Sequence, residues 1–110
     1  MRDYKDTIRM QHMLKATEEA VELTKGKTRV SLDEDRVLNL ALVRLLEIIG
    51  EAANQVSIER QMDIPEIDWS QIISLRNRLI HGYDSVDFDI LWQILKQDLP
   101  VLAEKLERIV

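Results

Sequence analysis

The sequence predicts an all-α fold, an antiparallel bundle of about four main helices. Three observations carry that prediction. Apolar residues make up 45% of the chain, yet only three glycines and two prolines interrupt them, a composition that suits helices. The apolar residues recur at three- and four-residue spacings over long stretches. Ser31, Asp68 and Asp87 stand at the starts of periodic runs, where their side chains can cap free N–H groups. A chain of 110 residues is expected to form one domain, spanning residues 1–110.

The first helix is expected from about Asp3 to Lys25, with Met13, Ala16, Ala20 and Leu23 on its apolar side. Ile8 continues that side, and Glu18, Glu19 and Glu22 form the wet one. Gly26 ends the helix, and Lys25 to Arg29 reads as a solvated loop. His12 reads as a surface residue without a chemical role.

Ser31 opens the second helix, with Glu34 completing a capping box, and the helix runs to about Glu59. Leu38, Leu42, Leu45, Ile49, Ala52 and Val56 form its seam. Val37, Ala41, Leu46, Ile48 and Ala53 widen it until most of the circumference is apolar. Such a helix is either central to the core or packed on two sides, within its own subunit and across an interface. That surplus predicts a homodimer. Gly50 and the Ala52-Ala53 pair would let another backbone approach closely. One polar stripe remains, Arg44, Glu47, Glu51 and Asn54 with Gln55 beside it, and on spacing alone it is an ordinary solvent face.

Met62 to Asp68, with Pro65, is a connection. A third helix begins at Trp69, capped by Asp68 with Gln71 in the capping-box position, and stops after His81 at Gly82. Tyr83 to Asp87 forms a turn, and Asp87 caps the last helix. Phe88, Leu91, Trp92, Leu95, Leu99, Leu102 and Leu106 then hold one apolar phase to the C-terminus. Because that phase survives Pro100, the expectation is a kinked or closely abutted helix. Trp69 and Trp92 are expected in the core.

Chemistry concentrates in the third helix. Trp69, Ile72, Ile73, Leu75, Leu79 and Ile80 share one broad apolar face, and Arg76 falls in its middle, whereas Arg78 points to solvent. An unpartnered guanidinium there would cost several kcal/mol, roughly, and arginine cannot shed its proton. Arg76 must therefore meet a carboxylate, a phosphate or a wet cavity between subunits. The bland reading is a buried Arg–Glu pair that only fixes packing. The neighbours favour a site: Asn77 and His81 lie four apart along one edge, and Tyr83 follows in the loop. His81 occupies the last turn, where the helix dipole favours its protonated form.

The spacing of Arg76, His81 and Tyr83 resembles the signature of the HepT-like toxins of the HEPN superfamily. The runs "IIGEAANQVS" at 48–57, "IDWSQIISLRNRLIHGYDSVD" at 67–87 and "LWQILKQDLPVL" at 91–102 are similar to that family as well. The resemblance covers most of the chain from Leu45 onward. It implies a ribonuclease toxin whose active site forms where two motif helices face each other in a dimer. Glu51, in the "GEAAN" run, is the first candidate for the carboxylate answering Arg76, with Glu47 the next.

Other chemistry is set aside. There is no cysteine, no Gly-rich phosphate loop and no clustered metal-ligand set, so no cofactor or metal is expected. No apolar run reaches membrane-spanning length, and a cytoplasmic protein is expected. A net charge of −5 argues against coating nucleic acid through a general basic surface. Paired copies of Arg76 and Arg78 would concentrate the positive charge locally.

In the implied mechanism Arg76 holds the scissile phosphate, His81 moves a proton, and Asn77 orients the phosphate or the histidine. On an ideal helix Arg76 and His81 lie about 140° apart, so convergence needs facing helices. The family implies as partner an MNT-type nucleotidyltransferase, the antitoxin, which adenylylates Tyr83. The rival is a non-catalytic subunit that binds nucleotide or substrate for that partner, with Arg76 gripping a phosphate.

Overall fold

The computed structural model describes residues 4–80 and 85–110. Over these residues the fold is all-α, with an isolated antiparallel bridge between Ile80 and Val86. The expected first residue of the first helix, Asp3, lies outside the described residues, as do His81, Gly82, Tyr83 and Asp84.

Helix α1 spans Tyr4–Leu23. Met10, Met13, Ala16 and Ala20 face the core as their spacing requires, while Leu23 and Ile8 are largely exposed. Thr17 and Thr24 are buried, each hydroxyl donating to a carbonyl of α1, Met13 O at 2.6 Å and Val21 O at 2.9 Å. Gly26 makes the stop with a left-handed φ of 73°.

The expected helix from Ser31 to Glu59 is cut into three, α2 (Arg29–Glu34), α3 (Arg36–Gln55) and α4 (Ile58–Asp63). The cause is polar side chains that satisfy the backbone locally. Asp35 leaves helical geometry and caps α3 by accepting from Leu38 N at 3.0 Å. Ser57 does the same for α4 through Arg60 N at 3.2 Å. The capping box is Thr28–Ser31 rather than Ser31–Glu34. Arg29 is no loop residue. It joins α2 to the helix that begins at Phe88, bonding Asp89 at 2.7 Å and Asp33 at 3.0 Å.

The start of α1 lies beside the end of α3, so the two run antiparallel. Arg9 donates to Gln55 O at 3.1 Å, and the Asp6 carboxylate accepts from Ser57 N at 2.9 Å and Ser57 Oγ at 2.7 Å. Leu38, Leu42, Leu46, Ile49, Ala53 and Val56 bury the α3 seam, with Leu45 and Ala52 only partly covered. Gly50 meets the backbone of α5 (Trp69–Ile73) as its size suggested: a Cβ there would lie 3.2 Å from both Ile72 O and Ile73 O.

The motif segment bends at Ser74, between α5 and α6 (Leu75–Leu79). Ser74 Oγ bonds Ser70 O at 2.8 Å, yet helical bonds continue on both sides of the bend. Asp68 caps α5 through Gln71 N at 3.2 Å, and Trp69 is buried with its indole N–H on Ile64 O at 3.0 Å. The helix does not reach His81. Ile80 is extended, with φ −101° and ψ 121°, and pairs with Val86, while Asp87 N bonds Leu79 O at 2.8 Å.

Asp87 caps α7 (Phe88–Gln93), which passes through a π turn at Ile94–Asp98 into α8 (Leu99–Ile109). The expected kink at Pro100 is absorbed by that wide turn, where a missing N–H and a crowded ring are tolerated. Leu91, Ile94, Leu95, Leu99, Leu102 and Leu106 are buried, and Trp92 is half-buried under Lys96. Helix α1 packs along both α3 and α8. Among the described residues no helix is long and apolar enough to cross a membrane.

Candidate functional site

Helix α6 is five residues long and places Arg76, Asn77 and Arg78 in successive directions. Leu75 and Leu79, one turn apart and both fully buried, fix its inner side. That apolar face is narrower than the sequence suggested, because the bend at Ser74 and the stop at Leu79 remove its ends. Arg76 therefore stands at its edge. Its side chain is 59% exposed, not buried, and its Nε lies 3.7 Å from the Glu47 carboxylate.

The carboxylate that reaches Arg76 is thus Glu47, one helical turn before the first candidate, Glu51. Glu51 is exposed and pairs instead with Arg44 at 3.6 Å. Arg44 also lies 3.8 Å from Glu47, so Glu47 stands between two arginines. Pairs this long and this exposed hold loosely, on the order of a few tenths of a kcal/mol.

Arg78 is the other correction. It does not point to open solvent: its guanidinium donates to Asp98 in the π turn at 3.1 Å, and both side chains are largely covered. Leu95 precedes Asp98 by three residues and Leu102 follows it by four, so the carboxylate sits at the margin of the apolar phase and needs a cation. That spacing was a readable signal for a partner.

Two clefts meet at Arg76. One, of about 170 Å³, is lined by Leu46, Glu47, Gly50, Glu51, Arg76 and Asn77 among others. The larger, of about 470 Å³, brings Arg36, Asn39, Leu40 and Phe88 to Glu47 and Arg76. Asn39 is buried, and its amide donates to Leu32 O at 2.9 Å. Arg36 and Asn39 carry no sequence signal for a site, since two polar residues three apart are ordinary on the wet face of a helix. Ile80, Ser85 and Val86 line the same cleft, so both stems of the segment holding His81 and Tyr83 open onto it. His81 and Tyr83 themselves lie outside the described residues. The helix-based arguments for His81, its edge shared with Asn77 and its 140° angle from Arg76, do not carry over, since α6 ends at Leu79. Among the described residues no three His, Cys, Asp or Glu side chains group as metal ligands.

The family described as Ribonuclease HepT-like matches residues 13–109. The chain belongs to that family. Among similar proteins, "Putative RNase MJ1380" of Methanocaldococcus jannaschii is 32% identical over 95 residues, covering 86% of this chain and 87% of the relative. "Probable ribonuclease HepT" of Thermococcus cleftensis is 38% identical over 95 residues, covering 83% and 86%. "Putative RNase TTE0752" of Caldanaerobacter subterraneus is 33% identical over 100 residues, covering 91% and 89%. No solved structure matches the chain. Within this HepT-like chain, the exposed Arg76 and the paired residues Ile80 and Val86 line one cleft.

Proposed function

We propose that this chain is a metal-independent RNA endonuclease, acting as a single-domain homodimer in the cytoplasm as the toxin of a toxin–antitoxin pair. The observation that carries the reading is Arg76, a guanidinium 59% exposed, tied only loosely to Glu47 and standing where two clefts meet. An arginine so placed offers planar N–H donors to a phosphate with little internal competition. Val37 and Leu40 support the dimer, being 78% and 52% exposed on α3 next to the larger cleft. Two copies joined there bring two Arg76 guanidinium groups to one RNA strand.

In the reaction, His81 takes the proton of a ribose 2′-hydroxyl, whose oxygen attacks the adjacent phosphorus. The P–O5′ bond breaks, a 2′,3′-cyclic phosphate forms, and the second histidine of the dimer protonates the leaving 5′-oxygen. Arg76 offsets the charge growing on the phosphoryl oxygens, and Asn77 orients the phosphate. Purified, unmodified protein should sediment as a dimer at micromolar concentration and cut RNA in EDTA with a cyclic phosphate product. A dimer that cuts none of a varied set of RNAs would leave the binding-subunit role for an MNT-type nucleotidyltransferase as the better account.

Control is assigned to Tyr83. Adenylylation by the nucleotidyltransferase antitoxin would set a bulky, negatively charged phosphodiester beside Arg76, competing with RNA for the same cation. Tyr83→Phe removes the hydroxyl and little volume, so most RNase activity should survive while silencing fails. Wild-type silencing of Tyr83→Phe would instead point to inhibition by simple complex formation.

A further inference from the structure

Helix α6 has little of its own to hold it in place. It has five residues, and its N-cap, Ser74, makes no side-chain cap bond. A helix that short is not stable alone and takes its orientation from what it packs against. Leu75 and Leu79 anchor one side through non-directional apolar contacts. The Asp87 N–H on the Leu79 carbonyl at 2.8 Å fixes the end of the helix but not the side chains of its outer face. Of its two arginine pairs, Arg76–Glu47 is long and exposed, whereas Arg78–Asp98 is a direct hydrogen bond between half-covered groups. Arg78 lies two residues from Arg76, about 160° around the helix, so whatever fixes one turns the other.

The acceptor comes from an unusual place. Asp98 closes the π turn that precedes Pro100. The Asp98 carboxylate is partly covered there and meets α6 through its 3.1 Å bond to Arg78. The pair is charge-assisted and directional, and half-buried groups are screened less than surface ones.

We infer that Asp98 is a positioning residue for the Arg76 site: through its bond to Arg78 it sets the rotation of α6 and hence where the Arg76 guanidinium stands. This rests on the ribonuclease reading for its functional consequence but not for its geometry. A displacement of about 1 Å at a phosphate-holding group can cost up to 100-fold in rate.

The test has two independent readouts. In Asp98→Ala and in Arg78→Ala, the Nε–Hε NMR signal of Arg76 should move, and by a similar amount in each. The charge-swapped pair Arg78→Asp with Asp98→Arg should bring it most of the way back. RNA cleavage should fall at least about tenfold in kcat, with KM changed far less, and recover in the swapped protein. A folded Asp98→Ala whose Arg76 signal is unmoved overturns the inference, whether or not the protein cuts RNA. Should the signal move in both variants while wild type cuts nothing, the positioning role stands and the ribonuclease reading is what fails. If either alanine variant does not fold, Asp98→Asn, which keeps the shape and loses the charge, supplies the same NMR comparison.

Discussion

Alanine at Arg76 or at His81 should abolish RNA cleavage and leave the helical fold as stable as before. Arg76 is mostly exposed and its only pair among the described residues is a 3.7 Å contact with Glu47, so its loss should cost well under about 1 kcal/mol of stability. Removing a group that offsets transition-state charge costs roughly 100- to 1,000-fold in rate. Removing a proton-transfer group costs roughly 100- to 10,000-fold. Cleavage of a defined oligonucleotide in EDTA, set beside melting curves of the same preparations, measures both. Activity within a factor of about ten of wild type in either variant would remove that residue from the chemistry.

The largest effect on stability outside the apolar core is expected at Asp6. Its side chain is 4% exposed, and the carboxylate accepts both the hydroxyl and the backbone N–H of Ser57, tying α1 to the α3–α4 junction. Those two bonds, the hydroxyl's first, hold its carboxyl below the usual carboxylate range against the opposing effect of burial, with Arg9 and Arg60 adding to the depression. Asp6→Asn keeps the shape but turns a charged acceptor into an amide. The expected loss is about 1.5–3 kcal/mol, or roughly 10 °C in Tm for a chain of this size. The pH dependence follows from the direction of the shift. A lowered folded pKa contributes stability that is complete above the ordinary value of 3.8 and disappears as pH falls through the lowered one. The gap in Tm between wild type and Asp6→Asn should therefore stay constant from pH 7 to about 5 and close below about 4. A gap that is absent at pH 7, or that widens in acid, would contradict this account.

Periodicity made most of the fold legible. The buried sets of α1, α3 and the α7–α8 run lie where three- and four-residue spacing places them, and Asp68 and Asp87 cap the helices they precede. Breaks were less legible, because an apolar phase continues straight through them. Asp35, Ser57 and Ser74 interrupt helices by bonding nearby backbone, a competition that a residue count along one face does not register. The same blindness displaced the arginines. On an ideal continuous helix Arg76 lies inside the apolar stripe and Arg78 outside it; the bend at Ser74 and the early stop at Leu79 expose the first, while Asp98 draws in the second. The choice of Glu47 over Glu51 depends on how α6 crosses α3, which periodicity along a single helix does not record.

The bridge between Ile80 and Val86 has a consequence for how such a chain can change over time. Closing a loop costs entropy that depends on its length far more than on which residues fill it. Here the closure is held outside the loop, by Leu79 buried in the core, by the ladder contact at its mouth and by the Asp87 amide on the Leu79 carbonyl. The closure is therefore made by residues on either side of the intervening chain. A longer connection between Ile80 and Val86 should accordingly cost little, about 0.6 kcal/mol for each doubling of its length.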